Sequence, residues 1–561
     1  MKKLYDFFEK KSILVAVICA AAMFLWFLQM KISFFSEDFI YKIMTACVII
    51  IMAAVSLPHI ISSRGKELFK PMPIIFAVLL SVSATPYIIN SFSAISMRVI
   101  YYVLFFLLFW LFFAGFSPFL KERSKTELSP CSDRKKLNLV FLGVFVFSIF
   151  GLCLLWWNYP NAMSPDSQNQ WMQIHGEIPY SNIHAIAHTI LLKILCSIYD
   201  SFSLAVLLNV ISVALVYAFF SRLLYKKGVS LSWIFVLISL SLTNEFFSRV
   251  YIFPWKDTPY TACLAAITYI TILLLDNGGK IKIGTAFLCG AAIAFTLLFR
   301  LNGIIAAAVC LAFFAYWLIK TKKIQSLLSL AAVCLVCIIG INVYSSVTME
   351  VKKPENGFSI QVFGSGIAAV VANDGNITPE QQEKLDSLLS SEWMKEKYTP
   401  WNNQKLIWDS DSDPKFEDPE LEIFNNNFVL DLGKNKTEVI KMYLSLLPSN
   451  LGICIKDVIY NTAVIWSIND ARFYDCHVFM LALMLYAVLT LWKKKNGDMK
   501  YLAIFVCIVF NAVSIAISTT TNEKRYLLIT FTLLPVLLPY IVVRNREEKT
   551  DSIKHINYVK G

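Results

Sequence analysis

Trp156-Trp157-Asn158-Tyr159-Pro160 closes an apolar run, and Ser164-Pro165-Asp166-Ser167-Gln168-Asn169-Gln170-Trp171 follows it almost at once. An acidic residue just past such a membrane exit is a candidate for chemistry, and Trp171, Tyr180 and Tyr199 beyond it suit the depth where amphipathic rings settle at headgroup level. Working outward from that exit, apolar runs of roughly 18 to 22 residues recur along the chain, the length a helix needs to cross about 30 Å of hydrocarbon. Hydrophobic residues make up 57% and charged residues 16% of the 561 positions, and mean hydropathy is +0.59. A soluble chain carries about 25% charged residues, so this composition excludes an ordinary soluble domain. The expected fold is an all-α polytopic membrane protein.

Read in order, the runs place spans near 13–31, 39–60, 72–90, 97–118, 137–157, 203–222, 232–250, 259–276, 282–299, 303–320, 325–345, 476–492, 501–519 and 526–543, about fourteen in all. Four regions follow: a four-span part at 1–136, a membrane core at 137–345, a small external and mainly helical domain at 346–475, and three further spans with a tail at 476–561. The first run, after Met1-Lys2-Lys3, leads straight into another apolar segment and reads as an uncleaved span. Residues 166–200 include His188 to Leu195, apolar but too short to cross, and read as one or two helices lying in the interface.

Loop charge orients the chain. Lys and Arg crowd the N-terminus, Arg64 to Lys66, Lys121 to Lys136, Lys226-Lys227, Lys280 to Lys282, Lys320 to Lys323, Lys493 to Lys495 and the tail from Arg544. These loops alternate with poorer ones, so that side is cytoplasmic and both termini lie there. The net charge of +12 therefore reports membrane orientation and no nucleic-acid partner. The 13 cysteines sit mostly inside apolar runs and read as packing residues, including Cys334 and Cys337.

The charged and polar groups expected on the outer side are the candidates for chemistry. Asp166, after Ser-Pro, reads as a helix cap and also as a carboxylate that can take a proton from a hydroxyl. Trp255-Lys256-Asp257 opens a span, with snorkelling anchors as the plainer reading. Arg300 and Asn302 occupy a very short turn, where a guanidinium fork can hold phosphate. Glu523-Lys524-Arg525-Tyr526 repeats the combination at the last outer turn. His184 and His188, four apart, would share a face of a helix, and local hydrogen bonding is the commoner use of such a pair. Gln170 lies in the polar run of Asp166. Asn376-Ile377-Thr378 and Asn435-Lys436-Thr437 match the glycosylation sequon, a pattern frequent by chance.

With these residues located, the chain resembles a membrane glycosyltransferase of the GT-C superfamily. More narrowly, Ser164-Pro165-Asp166-Ser167, Tyr180 to Thr189, Trp255-Lys256-Asp257, Arg300-Leu301-Asn302-Gly303, Phe358-Ser359-Ile360-Gln361 to Asp411-Ser412-Asp413-Pro414-Lys415, and Glu523-Lys524-Arg525-Tyr526 are similar to an uncharacterised group of bacterial multi-spanning proteins. The likeness covers about 137–543. It implies a bacterial plasma-membrane enzyme that moves a sugar from a polyprenyl-phosphate donor to an envelope glycan or lipid acceptor on the outer face. By carry-over, Asp166 stands at the catalytic-base position and Asp257 at the second acidic position. The substrate-binding groups are then Lys256, Arg300, Asn302, Glu523, Arg525, Tyr526, His184, His188 and Gln170. No metal ligands are assigned, and a divalent cation is allowed as a cofactor. Two positions depart from the pattern: a single Asp where relatives have an acidic pair, and Ala185 where they often have Pro. The competing expectations are a transporter or lipid flippase, and a non-catalytic scaffold for envelope assembly.

Overall fold

The structure, a computed structural model, describes residues 12–32, 37–123, 130–160, 163–182, 184–351, 360–400, 406, 427–468, 473–491, 498–518 and 523–560. Its elements are helical throughout, with no strand among the described residues, and the all-α polytopic membrane architecture holds. Of the quoted sequence features, Met1-Lys2-Lys3, Phe358-Ser359, Asp411-Ser412-Asp413-Pro414-Lys415 and Lys493 to Lys495 lie outside the described residues.

The N-terminal helices are α1 (Ser12–Ile32), α2 (Glu37–Ser62), α3 (Pro71–Ser83), α4 (Thr85–Ser91) and α5 (Ile95–Arg123). The core follows with α6 (Arg134–Asn158), α7 (Pro165–Ile174), α8 (Ile186–Ile198), α9 (Ser203–Lys226), α10 (Leu231–Leu242), α11 (Glu245–Ile252), α12 (Asp257–Asp276), α13 (Ile283–Phe299), α14 (Ile304–Lys320) and α15 (Ile324–Val343). Eight helices are long and apolar enough to cross a membrane, and α3 with α4 makes a ninth candidate bent by 44°. Four of the expected spans fall on apolar helices of 10–17 residues, as does the described apolar stretch Ile13–Trp26 of the first. The count of fourteen therefore rests on helices below full crossing length.

One expected span is corrected. Residues 232–250 form two helices, α10 and α11, that break at Thr243 and Asn244. Hydroxyl groups compete with the ladder there: Thr243 Oγ1 donates to the Ser239 carbonyl at 2.9 Å, and Ser248 Oγ to the carbonyls of Leu242 and Asn244 at 2.5 and 2.7 Å. Such side-chain bonds offer the backbone an alternative to the helix, and a hydropathy average over the stretch does not register them.

The loops sort into two ends of the bundle. At one end Lys227 Nζ lies 3.0 Å from Asp276, the Tyr501 hydroxyl donates to Asp276 at 3.1 Å, and Cys131 N–H donates to the Lys226 carbonyl. Thr321 and Ser326 donate to the carbonyls of Gly279 and Ile281 at the same end. These are loops expected on a single side. Helices between the ends approach closely where side chains are small: a Cβ on Gly290 of α13 would stand 2.3 Å from the Leu330 carbonyl of α15. Small residues are what permit such backbone contact in membrane bundles.

The segment between the core and the last spans carries α16 (Gln361–Ala372), α17 (Pro379–Leu388), α18 (Ser391–Lys397), α19 (Asn427–Lys434), α20 (Lys436–Leu446), α21 (Leu451–Asn461) and α22 (Ala463–Trp466). Thr378 and Gln381 form a reciprocal capping box at the start of α17. Ile367, Leu385, Met394, Phe428, Leu432 and Val439 give this unit its own apolar cluster. Gln361 ties it to the membrane bundle, donating to the Ser518 carbonyl at 2.6 Å. The chain ends with α23 (His477–Leu491), α24 (Val506–Ser518) and α25 (Leu528–Lys560).

Candidate functional site

The second end of the bundle gathers the polar turns. Ser164 caps α7, its hydroxyl accepting from Ser167 N–H at 3.1 Å, while Pro165 takes the first helical position. Both choices suit a helix start, since an exposed N–H is capped and proline has none to lose. The Trp255 indole N–H donates to the same Ser164 oxygen, so the start of α7 is latched to the turn before α12. That latch brings Lys256 onto Asp166: Nζ stands 3.3 Å from Asp166 Oδ2 and 3.3 Å from His184 Nδ1. An ammonium only donates, so His184 Nδ1 accepts and the neutral ring carries its proton on Nε2.

Arg525 reaches the same carboxylate from the last turn, Nη1 3.5 Å from Asp166 Oδ2, and pairs through Nε with Glu523 at 2.5 Å. Its guanidinium lies over the Trp255 ring at 4.6 Å and the Tyr526 ring at 5.4 Å. Beside it, Arg300 is in ion-pair contact with Asp257, and both side chains are nearly inaccessible, at 8% and 2% exposure. Arg300 sits over the other partner of Arg525, with Tyr526 at 4.4 Å, and over Tyr260 at 5.6 Å. Tyr526 thus stands between two arginines that each hold a different aspartate.

Backbone packing sets these positions. A Cβ on Gly303 would meet the Thr296 carbonyl at 2.3 Å and the Tyr260 ring at 3.0 Å, so glycine lets the 300–303 turn close on Tyr260. Tyr260 donates to Asn511 Oδ1 at 2.8 Å, and Asn511 Nδ2 donates to the Tyr526 carbonyl at 2.9 Å. Ser514 donates to the carbonyl of Asn302. The 300–303 and 523–526 turns are therefore both moored to α24.

The electrostatics follow from the pairs. Burial pushes the Asp166 carboxyl up, but the Lys256 ammonium and the Arg525 guanidinium outweigh it and hold the group below the ordinary carboxylate range. His184 is pushed down to about 3, first by burial and then by Lys256, and adds no charge to Asp166 at neutral pH. His188 is lowered to about 3 by burial and by the same ammonium. Burial opposes the charge on Arg525, yet Tyr526, Asp257, Asp166 and Glu523 outweigh it and the guanidinium stays cationic.

Of the residues singled out in the sequence, Asp166, Lys256, Asp257, Arg300, Glu523, Arg525, Tyr526 and His184 come together here. Gln170 and His188 stand one layer behind: Gln170 Nε2 donates to Thr189 Oγ1 at 2.9 Å, and its carbonyl oxygen accepts from His188 Nδ1 at 3.0 Å. Asn302 contributes its backbone carbonyl. The expectation that His184 and His188 share a helix face is corrected, because α8 begins at Ile186 and leaves His184 in the preceding turn. Trp255, Tyr260, Asn511 and Ser514 complete the site and were not foreseen as parts of it. Only Trp255 carried a signal, its place beside Lys256.

A resident divalent cation does not fit these residues. No group of three His, Cys, Asp or Glu side chains converges among the described residues, and the Asp166 and Asp257 carboxylates are already matched by cations. Hard divalent ions need several free oxygen ligands. In comparisons with known proteins the chain matches no family model, no curated protein and no solved structure.

Proposed function

We propose that this protein is a bacterial plasma-membrane glycosyltransferase with both termini in the cytoplasm. It moves a sugar from a polyprenyl-phosphate donor to an envelope glycan or lipid acceptor on the outer face. The observation that carries the reading is the contact of one carboxylate, Asp166, with two cations from distant turns, Lys256 and Arg525. A proton acceptor and phosphate-binding groups within one site are the two kinds of group this reaction asks for.

The acceptor hydroxyl oxygen attacks the anomeric carbon, and its proton passes to an Asp166 oxygen as the new C–O bond forms. The bond from the anomeric carbon to the phosphate oxygen breaks, and its electron pair leaves with the polyprenyl phosphate. Negative charge gathers there, where Arg525 and Arg300 offer planar forks of donors. Without donor, Asp166 is a weak base because two cations stabilise its ionised form. A donor phosphate competes for those cations, and each one drawn off raises the basicity of Asp166. Sugar transfer in reconstituted membranes, with a panel of polyprenyl-phosphate sugars, tests the reading; a broad panel giving no product in active-folded protein would remove it.

A second reading, a carrier for envelope precursors, is favoured by the break between α10 and α11 and the bend between α3 and α4. Discontinuous helices line substrate paths in transporters. Asn244, at the break, donates to the buried Asp475 carboxylate at 2.5 Å. Flux of labelled precursor across sealed vesicles without chemical change would favour the carrier.

A further inference from the structure

Helix α21 has its polarity reversed. Its buried side chains are Cys454, Asp457 and Asn461. The Asp457 carboxylate accepts from the Tyr398 hydroxyl at 3.0 Å, from Asn461 Nδ2 at 2.9 Å and from Ser365 Oγ at 3.2 Å. Leu451, Ile455, Val458 and Ile459 instead stand exposed, at 53%, 51%, 42% and 44%. At about 100° per residue these four fall in one stripe about 100° wide, turned away from Asp457. A helix on a water-facing surface carries the opposite arrangement, with its apolar stripe on the core. Polar groups paired inward and an apolar stripe outward suit a helix whose outer neighbour is lipid.

The chain after α21 gives the depth. Helix α10 leaves the Lys226-Lys227 end and breaks after 12 residues. That length is about 18 Å of a hydrocarbon layer about 30 Å thick. At the break Asn244 donates to Asp475. Helix α3 runs 13 residues from the Arg64 to Lys66 end, a rise of about 20 Å, to Ser83. The Ser83 carbonyl accepts from Ile468 N–H at 2.7 Å. Ile468 and Asp475 therefore both lie within the membrane. Trp466, two residues before Ile468, turns its indole N–H back onto the Ile459 carbonyl at 3.0 Å. His477, which opens span α23, holds the Ile465 carbonyl at 2.9 Å. The last turn of α21 is thus moored to groups at membrane depth. Its 11 residues make about 16 Å, too short to cross but suited to lying along an interface. Lys456 beside the stripe, its Nζ 5.7 Å from the Tyr460 ring centre, and Trp466 are the basic and aromatic groups that settle at headgroup level.

We propose that the α21 stripe is embedded among the acyl chains of the adjoining membrane leaflet. The α16–α22 unit is then no cap standing clear in water; one of its helices lies in the bilayer surface and holds the unit against it. A second copy of the chain is the competing occupant. Four half-exposed side chains offer far less than the about 800 Å² per partner of a stable protein interface, whereas a leaflet asks for no such minimum.

Nitroxide labels on the full protein test this, in a background without native cysteines and in phosphatidylcholine nanodiscs open to solvent on both faces. Ile455→Cys and Leu451→Cys carry the label on the stripe, and either suffices where the other does not fold. Leu335→Cys, exposed on span α15, is the lipid reference, and Glu383→Cys, exposed on α17, is the water reference. Power saturation with oxygen and with a polar nickel chelate reads the surroundings of each label. The stripe labels should follow Leu335, with nickel accessibility at least about tenfold below that at Glu383, because a polar chelate is excluded from hydrocarbon. Nickel accessibility equal to that at Glu383 overturns the proposal. So does a line broadening that disappears when labelled protein is diluted with unlabelled protein before reconstitution, which assigns the stripe to a second copy. The readout needs neither transfer activity nor a choice of external face, so its failure leaves the sugar-transfer reading untouched.

Discussion

Arg525 and Asp166, 359 residues apart in sequence, meet with Nη1 3.5 Å from Oδ2, and the meeting depends on the two turns lying at the same end of the bundle. Lys256 completes the grip from a third turn at 3.3 Å. The result is a carboxylate held ionised and poorly basic until something anionic competes for its cations. Phosphate is such a competitor, so in the proposed reaction donor binding would ready the base.

Replacing Asp166 by asparagine keeps the size and the hydrogen-bonding shape of the side chain but removes its basicity. General-base assistance is worth about 100- to 10,000-fold, so Asp166→Asn should lose that much turnover while donor affinity holds or rises. Donor affinity has reason to rise because Lys256 and Arg525 lose their internal anion. Single-turnover transfer with separately measured donor binding checks both halves, and turnover at the native rate would dismiss Asp166 as the base.

Arg300 and Asp257 behave differently, because both are buried. Removing one partner strands the other charge in a low-dielectric site, at a cost of about 3–5 kcal/mol. Arg300→Ala should therefore lower the melting temperature strongly as well as weaken donor binding, whereas Arg300→Ala with Asp257→Asn should recover part of the stability. A double-mutant cycle by thermal denaturation in detergent measures the coupling, and additive losses would mean the pair is not a pair.

Much of this site was legible because the parity of spans decides which turns can meet. Asp166, Lys256, Arg300 and Arg525 each follow an apolar run, and alternating loop charge was enough to set them on one side. The partners that position them were not legible. The hydrogen bond from Tyr260 to Asn511 joins residues 251 apart, and nothing in either neighbourhood encodes the other. The same holds for the Trp255 latch on Ser164. The break at Thr243 and Asn244 escaped for another reason: hydroxyl groups that bond their own backbone look mild on a hydropathy scale, yet they end a helix. Nor did the spacing of four between His184 and His188 reveal that α8 begins only at Ile186, which puts the two rings in different local structures.

The sorting of loops into two ends gives a direct test of sidedness. Asp374 and Lys280 are both exposed and stand in turns expected on opposite faces. In a background without native cysteines, Asp374→Cys should react with a membrane-impermeant maleimide from outside intact cells, and Lys280→Cys only after permeabilisation. The reverse pattern would put the ion-pair cluster on the cytoplasmic face and rule out transfer on the outer one.

Stability should also depend on pH in a window set by two histidines. His184 and His188 each fall from the ordinary 6.5 to about 3 in the folded protein. Above pH 6.5 both states leave them neutral and they contribute nothing. Between 6.5 and 3 the unfolded chain binds protons that the folded one refuses, so stability declines as pH falls, by up to about 1.4 kcal/mol per histidine per pH unit. Asp166 acts in the same direction but only below its ordinary 3.8, because its folded value is depressed. His175 opposes them: the Trp171 carbonyl and then Asp200 raise it, so it adds stability below 6.5 that is lost as pH rises. A His175→Asn background removes that opposing contribution. In it, the melting temperature should drop steadily from pH 7 to pH 4, and His184→Gln with His188→Gln should flatten the slope. A slope unchanged by the pair of substitutions would mean the two rings take up protons as readily in the folded state as in the unfolded one, and that burial and Lys256 do not act on them as described.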